Sequence, residues 1–152
     1  MYNILVTDPI SERGLNLLRD AGLAVIFEPS PSEEVLIKLL PKIHGWIIRS
    51  GTNINEKHLR ISKSLQVIGR AGVGVDNINI KAATSMGVLV MNMPDGNTIS
   101  AAEHTMALLS GLSRNIQLGH LGLISGSWDR HKLVGSELRS KILGVVGLGR
   151  IG

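Results

Sequence analysis

An α/β fold built on a doubly wound parallel sheet is what the first hundred residues predict. Three observations carry that expectation. Five short apolar runs alternate with segments of helical periodicity. Ser and Asn stand at the starts of several of those helical segments, and glycine at several of their ends. A further apolar run, Ile142 to Val146, leads directly into Gly147-Leu148-Gly149-Arg150-Ile151-Gly152, which spells G-x-G-x-x-G.

The elements run in this order. Residues 2 to 7 form an apolar strand run, and after Asp8-Pro9 a helix opens near Ser11, carries Leu15, Leu17 and Leu18, and closes at Gly22. Leu23 to Phe27 is the second strand. Ser30-Pro31-Ser32-Glu33 reads as a capping box with proline at the first helical position. The helix it opens repeats Val35, Leu36, Leu39, Leu40 and Ile43. Trp46 to Ile48 is the third strand, and Asn55 caps a helix that runs to about Leu59. Leu65 to Ile68 is the fourth strand, and a glycine-rich loop from Gly69 to Asp76 comes next. A short helix over Ile80 to Met86 stops at Gly87, and Val88 to Met91 is the fifth strand.

The turn-rich stretch Asn92 to Asn97 divides residues 1–97 from 98–152. Beyond it Ile99, Ala102, Met106, Leu109, Leu112 and Ile116 recur at steps of three and four. That spacing predicts one long helix with an apolar stripe needing a partner surface, and Ser100 with Glu103 fits its capping box. Gly119 to Ser140, glycine-rich and polar around Trp128, reads as an extended arm.

Composition excludes several function classes. The 3% aromatic share leaves almost no stacking platforms, and the 16 basic residues never form a run of five, so the net charge of +4 does not predict a nucleic-acid partner. Zero cysteines removes disulfides and thiolate catalysis and agrees with a reducing, cytoplasmic setting. No apolar stretch approaches the length of a membrane span, and Asp8 and Glu12 argue against a signal peptide at the N-terminus. His44, His58, His120 and His131 show no metal-ligand spacing and no predicted carboxylate partner, so no metal site is expected.

The glycine-rich loop carries the first candidate site. Gly69-Arg70-Ala71-Gly72-Val73-Gly74-Val75-Asp76 sits at a strand's carboxyl end, where glycines can let successive N–H groups converge on an anion. A tight strand-to-helix turn, with Asp76 capping the next helix, is equally consistent with the spacing. Arg49 and Arg70 end two strands, and if those strands are neighbours both guanidiniums face one crevice. Two solvated surface arginines are the plainer alternative. Glu103 and His104, adjacent on a helix, do not face each other and are not an acid/base pair.

These motifs, in order, resemble the N-terminal part of a D-isomer-specific 2-hydroxyacid dehydrogenase, in particular its phosphoglycerate-oxidising members. The residues that carry the resemblance are Ile48-Arg49-Ser50, Gly69 to Ile78, Met93 to Glu103, Gly126 to Arg130, Gly135 to Leu138, and Lys141 to Gly152. It implies a flavodoxin-like substrate-binding domain followed by a long helix, an arm that helps build a homodimer, and the first strand of a truncated Rossmann domain. It implies NAD as cofactor, with NADP left open, and a small 2-hydroxy or 2-oxo acid, with or without a phosphate, as substrate. Arg49, Ser50, Arg70, Gly72, Val73, Gly74 and Arg130 then match substrate-binding positions. Val73, Gly147, Gly149, Arg150, Ile151 and Gly152 match cofactor-binding positions.

Under the same resemblance the family's catalytic Arg, Glu and His fall beyond position 152, so this chain alone is expected to be inactive, and its last residues, a strand run with no sheet to join, are expected to be an exposed tail. Asn79 stands where the family usually has Asp, and Val73 where several phosphoglycerate-specific members have Thr. Other readings are a dehydrogenase of the glyoxylate, hydroxypyruvate or D-lactate type, or a non-catalytic module that binds an anion or a partner. A receiver-like domain using Asp8 is weaker, since no acidic pair precedes it.

Overall fold

The computed structural model describes all 152 residues, which divide into two compact units, Met1–Gly96 and Asn97–Gly152. The first unit holds β1 (Asn3–Val6), α1 (Glu12–Asp20), β2 (Ala24–Phe27), α2 (Glu33–Leu39), β3 (Gly45–Ile48), α3 (Glu56–Ile61), β4 (Val67–Arg70), α4 (Ile80–Ser85) and β5 (Leu89–Asn92). All strand pairs are parallel and the sheet order is β2-β1-β3-β4-β5. That order reverses direction at the β1/β3 boundary, which is the flavodoxin-like doubly wound topology.

Alternation along the strands sorts the apolar side chains onto two faces. Leu5, Trp46, Ile48 and Ile68 pack with Leu36, Leu59 and Ala83 of α2, α3 and α4. Ile4 and Val6 turn the other way and pack with Leu15 of α1 and with Ile47. The second face carries one helix only, and Leu89 and Met91 of the edge strand β5 are exposed.

Several boundaries differ from the sequence reading. Strand β4 is shifted two residues toward the C-terminus: Leu65 is buried in the preceding turn, while Gly69 and Arg70 pair with Ile47 and Ile48. An apolar run therefore marks burial, not the extent of pairing. The cap of α2 is Ser32, which accepts from the Val35 N–H, and Ser30 takes a left-handed φ of 54°. With Val35 at the third helical position there is no capping box, and Pro31 precedes the cap.

Glu33 instead faces α3, where its carboxylate meets Lys57 Nζ at 2.8 Å and His58 Nε2 at 3.1 Å. This corrects the expectation that no carboxylate stands beside His58. The His58 ring is buried, and its Nδ1 accepts from the Asn55 N–H in the capping box of α3. Those two contacts assign the proton to Nε2.

The hydrogen bond from Lys57, and then that from His58, hold the Glu33 carboxyl below its ordinary value of 4.5. A folded-state value below the unfolded one stabilises the protein at pH above 4.5 and is lost as the pH falls through the depressed folded value. Glu33→Gln is therefore expected to lower the thermal midpoint slightly at neutral pH, with the gap to wild type closing in acid. Parallel melting curves across that range check the sign.

In the second unit the expected long helix is broken. Helix α5 (Thr98–Ser113) ends at Arg114, Asn115 adopts a left-handed φ of 54°, and α6 (Ile116–Ile124) begins at once. Asn tolerates that conformation and stops the first helix, while apolar spacing continues across the break. The N-cap is Asn97, so Ser100 and Glu103 lie inside the helix and form no capping box. The first part of the expected extended arm, Gly119 to Ile124, is helical, and a 3₁₀ turn follows at Arg130–Leu133. No residue of α5 or α6 is buried.

The run Ile142–Val146 forms no strand, in keeping with the exposed tail expected there. Ile142 and Val146 are fully exposed, at 99% and 103%, and no strand pairs with them. A strand is defined by its ladder, and an apolar sequence without a neighbour has none. No helix of the chain is long and apolar enough to cross a membrane.

Candidate functional site

The loops leaving β1, β3 and β4 meet at the carboxyl edge of the sheet, the place where open α/β sheets receive ligands. The loop after β3 carries Arg49 and Ser50 and is held from below by Asp8. The buried Asp8 Oδ2 accepts from the N–H groups of Arg49 (2.5 Å) and Thr52 (3.1 Å). A Cβ at Gly51 would collide with that carboxylate, which is why glycine fits there. Asp8 is thus a structural anchor, which disfavours the receiver-like reading. Beside it the Thr7 hydroxyl accepts from Trp46 Nε1 at 2.9 Å and bonds the Thr52 hydroxyl at 2.9 Å.

The loop after β4 starts with a tight turn. Ala71 N–H donates to the Ile48 carbonyl, and Gly72 N–H donates back to the Arg70 carbonyl at 2.8 Å. This corrects one expectation: the Gly72 amide is engaged within the turn and is not offered to a ligand. The amides of Val73 and Gly74 have no acceptor within the chain. Asn92 Nδ2 donates to the Val73 carbonyl at 2.7 Å and Met93 N–H to the Gly72 carbonyl at 2.9 Å, which tie the loop to the end of β5.

Arg49 and Arg70 do end neighbouring strands, yet their guanidiniums part. Arg49 Nη1 donates to the Pro9 carbonyl at 3.4 Å, toward the loop after β1. Arg70 folds over its own glycine loop: a Cβ on Gly72 would collide with Arg70 Nη1, and one on Gly74 would reach it at 4.0 Å. Ser50 is exposed. The Asp76 carboxylate flanks Gly74 and does not cap α4, whose N-cap is Asn79. The arrangement is a loop with two free N–H groups, flanked by the Arg70 guanidinium beside Gly72 and the Asp76 carboxylate beside Gly74; the free amides and the guanidinium are the groups suited to a planar carboxylate.

The remaining expected residues lie in the second unit. Arg130 opens the 3₁₀ turn and is exposed. Gly147, Gly149, Arg150, Ile151 and Gly152 lie outside any helix or strand and are exposed, with Gly147 at φ 100°. A pyrophosphate cradle needs a glycine turn opening onto a helix N-terminus. Residues 147–152 supply the glycine turn of such a cradle, with the positive φ at Gly147. Glu103 and His104 are exposed on α5.

Asn77 is visible in the sequence only as one letter of the loop motif. In the structure it is the most connected side chain of the site. Its Oδ1 accepts from Arg70 Nε at 2.8 Å, and its Nδ2 donates to the carbonyls of Arg49 and Thr52 at 2.7 and 2.6 Å. Partners 25 and 28 residues upstream leave no local signal to read.

Comparison with known proteins agrees with this fold. Residues 4–143 match the family model described as D-isomer specific 2-hydroxyacid dehydrogenase, catalytic domain. The chain is 46% identical over 149 residues to D-3-phosphoglycerate dehydrogenase from Archaeoglobus fulgidus, covering 98% of this chain and 28% of that protein. Among solved structures, TT0316 protein from Thermus thermophilus superposes with a TM-score of 0.90 at 31% identity, over 99% of this chain and 50% of that one. NAD-dependent formate dehydrogenase from Staphylococcus aureus, solved in complex with NAD, gives a TM-score of 0.85 at 26% identity, over 99% of this chain and 50% of that one. The chain thus spans a little over a quarter of its curated relative's length, and it belongs to the D-isomer specific 2-hydroxyacid dehydrogenase family.

Proposed function

We propose that the chain supplies the substrate-receiving part of an NAD-dependent 2-hydroxyacid dehydrogenase whose substrate is D-3-phosphoglycerate, oxidised to 3-phosphohydroxypyruvate for serine synthesis. The observation that carries this reading is the pair of free amides at Val73 and Gly74 under the Arg70 guanidinium. They receive the substrate carboxylate through charge-assisted hydrogen bonds. Arg49 and Ser50, on the anchored neighbouring loop, lie toward the phosphate end. The high identity to a phosphoglycerate dehydrogenase favours that substrate over D-lactate or glyoxylate.

Arg150 and Ile151, in the glycine motif, would hold NAD in the whole enzyme, and the cofactor would supply the hydride acceptor for the hydroxy acid. The residues of this chain contribute reception and orientation of the acid. The second unit, with its apolar helices and Arg130, serves a homodimer in the whole cytoplasmic enzyme.

Calorimetric titration of the chain with 3-phosphoglycerate, D-glycerate and D-lactate, without cofactor, tests the reading. Saturable binding is expected, tightest for 3-phosphoglycerate. Equal affinity for D-lactate moves the assignment to another substrate of the family, and absence of binding by all three overturns it.

Gly72→Ala gives a sharper expectation. The backbone there does not require a left-handed φ, so the fold tolerates alanine, but its methyl displaces the Arg70 guanidinium. Affinity for 3-phosphoglycerate is expected to fall about tenfold, the scale of one charge-assisted hydrogen bond. The melting temperature should change little. The same titration, run beside a thermal melt, separates the two effects.

A further inference from the structure

Binding of a planar anion by a guanidinium depends on where the fork is held, because a free arginine loses rotamer entropy each time it engages. In this site Arg70 leaves the end of β4 with a half-buried side chain. Nothing charged is paired with it at ion-pair distance. Its Nε donates to Asn77 Oδ1 at 2.8 Å. That bond uses the Nε edge and leaves both terminal nitrogens for a ligand, with Nη1 set over Gly72 and Gly74.

Asn77 is itself fixed before it meets Arg70. Its carbonyl accepts from the Ile54 N–H at 2.8 Å, and the Asn79 N–H donates to the Ile54 carbonyl at 2.9 Å, closing a parallel bridge between Ile54 and Ile78. Both Ile54 and Ile78 are buried in the main core. The side-chain amide of Asn77 then donates to the Arg49 and Thr52 carbonyls, the two residues whose N–H groups rest on Asp8. One side chain therefore ties the Arg49 loop to the Arg70 fork. An amide suits all three partners, because the carbonyl oxygen faces a donor and the NH₂ faces two acceptors.

We propose that Asn77 is a positioning residue for anion recognition: it holds Arg70 across the Val73–Gly74 amides and locks that fork to the loop carrying Arg49 and Ser50. This rests on the substrate-receiving reading above, which assigns no role to Asn77. Asn77→Ala releases Arg70. Asn77→Asp keeps the acceptor for Arg70 but sets a carboxylate oxygen against two carbonyls, so it frees the Arg49 loop instead.

Two measurements on the 152-residue chain decide the matter. The first needs no ligand: the Arg70 Nε–H proton, followed by NMR in wild type, Asn77→Ala and Asn77→Asp, with the amides of β1, β3 and β4 as the check on folding. Slow solvent exchange is expected in wild type and Asn77→Asp, and exchange as fast as that of exposed arginines such as Arg13 in Asn77→Ala. Equal protection in wild type and Asn77→Ala overturns the proposal. If Asn77→Ala does not fold, Asn77→Asp carries the test through faster exchange of the Arg49 and Thr52 amides, and unchanged exchange there overturns it.

The second is a double-mutant cycle with 3-phosphoglycerate, using Arg70→Ala, Asn77→Ala and the pair. Each single change is expected to weaken binding about tenfold, and the pair by clearly less than the product of the two. A multiplicative loss in the pair means Asn77 acts other than through Arg70, and contradicts the proposal. If wild type binds no acid at all, the substrate reading fails, and the exchange measurement still decides the role of Asn77.

Discussion

Trp46→Ala is expected to destabilise the first unit by about 3–5 kcal/mol, the range for removing a large aromatic from a packed core. The indole is fully buried on β3, between β1 and β4, and meets the His58 ring edge-on at 6.1 Å. Its loss opens a cavity against Leu5, Ile68 and the helices of the larger core cluster, which cannot collapse without moving the central strand. It also removes the donor to Thr7 Oγ1, the hydroxyl that in turn meets Thr52. A unit of this size has a total stability of about 5–15 kcal/mol, so the variant is expected to be largely unfolded or to melt far below wild type. Urea titration followed by circular dichroism measures the shift. A loss under about 1 kcal/mol contradicts the packing. Trp46→Phe keeps most of the ring volume and should cost less, chiefly for the lost donor.

Asp8→Ala is expected to cost about 2–3 kcal/mol and to loosen the site as well. One buried carboxylate oxygen accepts from two amides of the Arg49–Thr52 segment, and hydrogen bonds to a charged acceptor are worth about 1.5–3 kcal/mol each in place, though not additively. Removal leaves both N–H groups to find water in a loop that must stay ordered for Arg49 and Ser50 to present themselves. Asp8→Asn keeps an acceptor oxygen and loses the charge, so about half the effect is expected. Amide exchange at Arg49 and Thr52 should quicken in the alanine variant, while exchange at Ile47 stays slow. If the two loop amides remain as protected as before, Asp8 is not their anchor.

How much of the molecule is legible in the sequence depends on the range of the interaction. Ser11, Asn55 and the five strand runs are readable because a cap or an alternating run is a local property. The edges of β4 are not, since pairing of Gly69 and Arg70 is dictated by Ile47 and Ile48, on the preceding strand. Likewise the break at Asn115 is hidden by apolar spacing that continues from α5 into α6, and only the αL tolerance of Asn hints at it. In the site, the glycines from Gly72 to Gly74 mark a tight loop, and composition leaves it open between an anion receiver and a plain turn. Which amides are free depends on the turn to the Arg70 carbonyl, and Arg70's direction depends on Asn77. The Glu33–His58 pair spans 25 residues between two helices and likewise has no local signature. The motif at Gly147 to Gly152 is the plainest pattern in the chain, and of its glycines Gly147 takes the positive φ of a turn.

Reception of the acid by the Val73 and Gly74 amides is the central claim. Titrating the ¹⁵N-labelled chain with 3-phosphoglycerate and following every backbone amide tests it directly. Saturable shifts largest at Val73 and Gly74, with smaller ones at Arg70 and Asn77, are predicted. Saturable binding that leaves the Val73 and Gly74 amides unmoved, or shifts that gather on another face of the sheet, would contradict it.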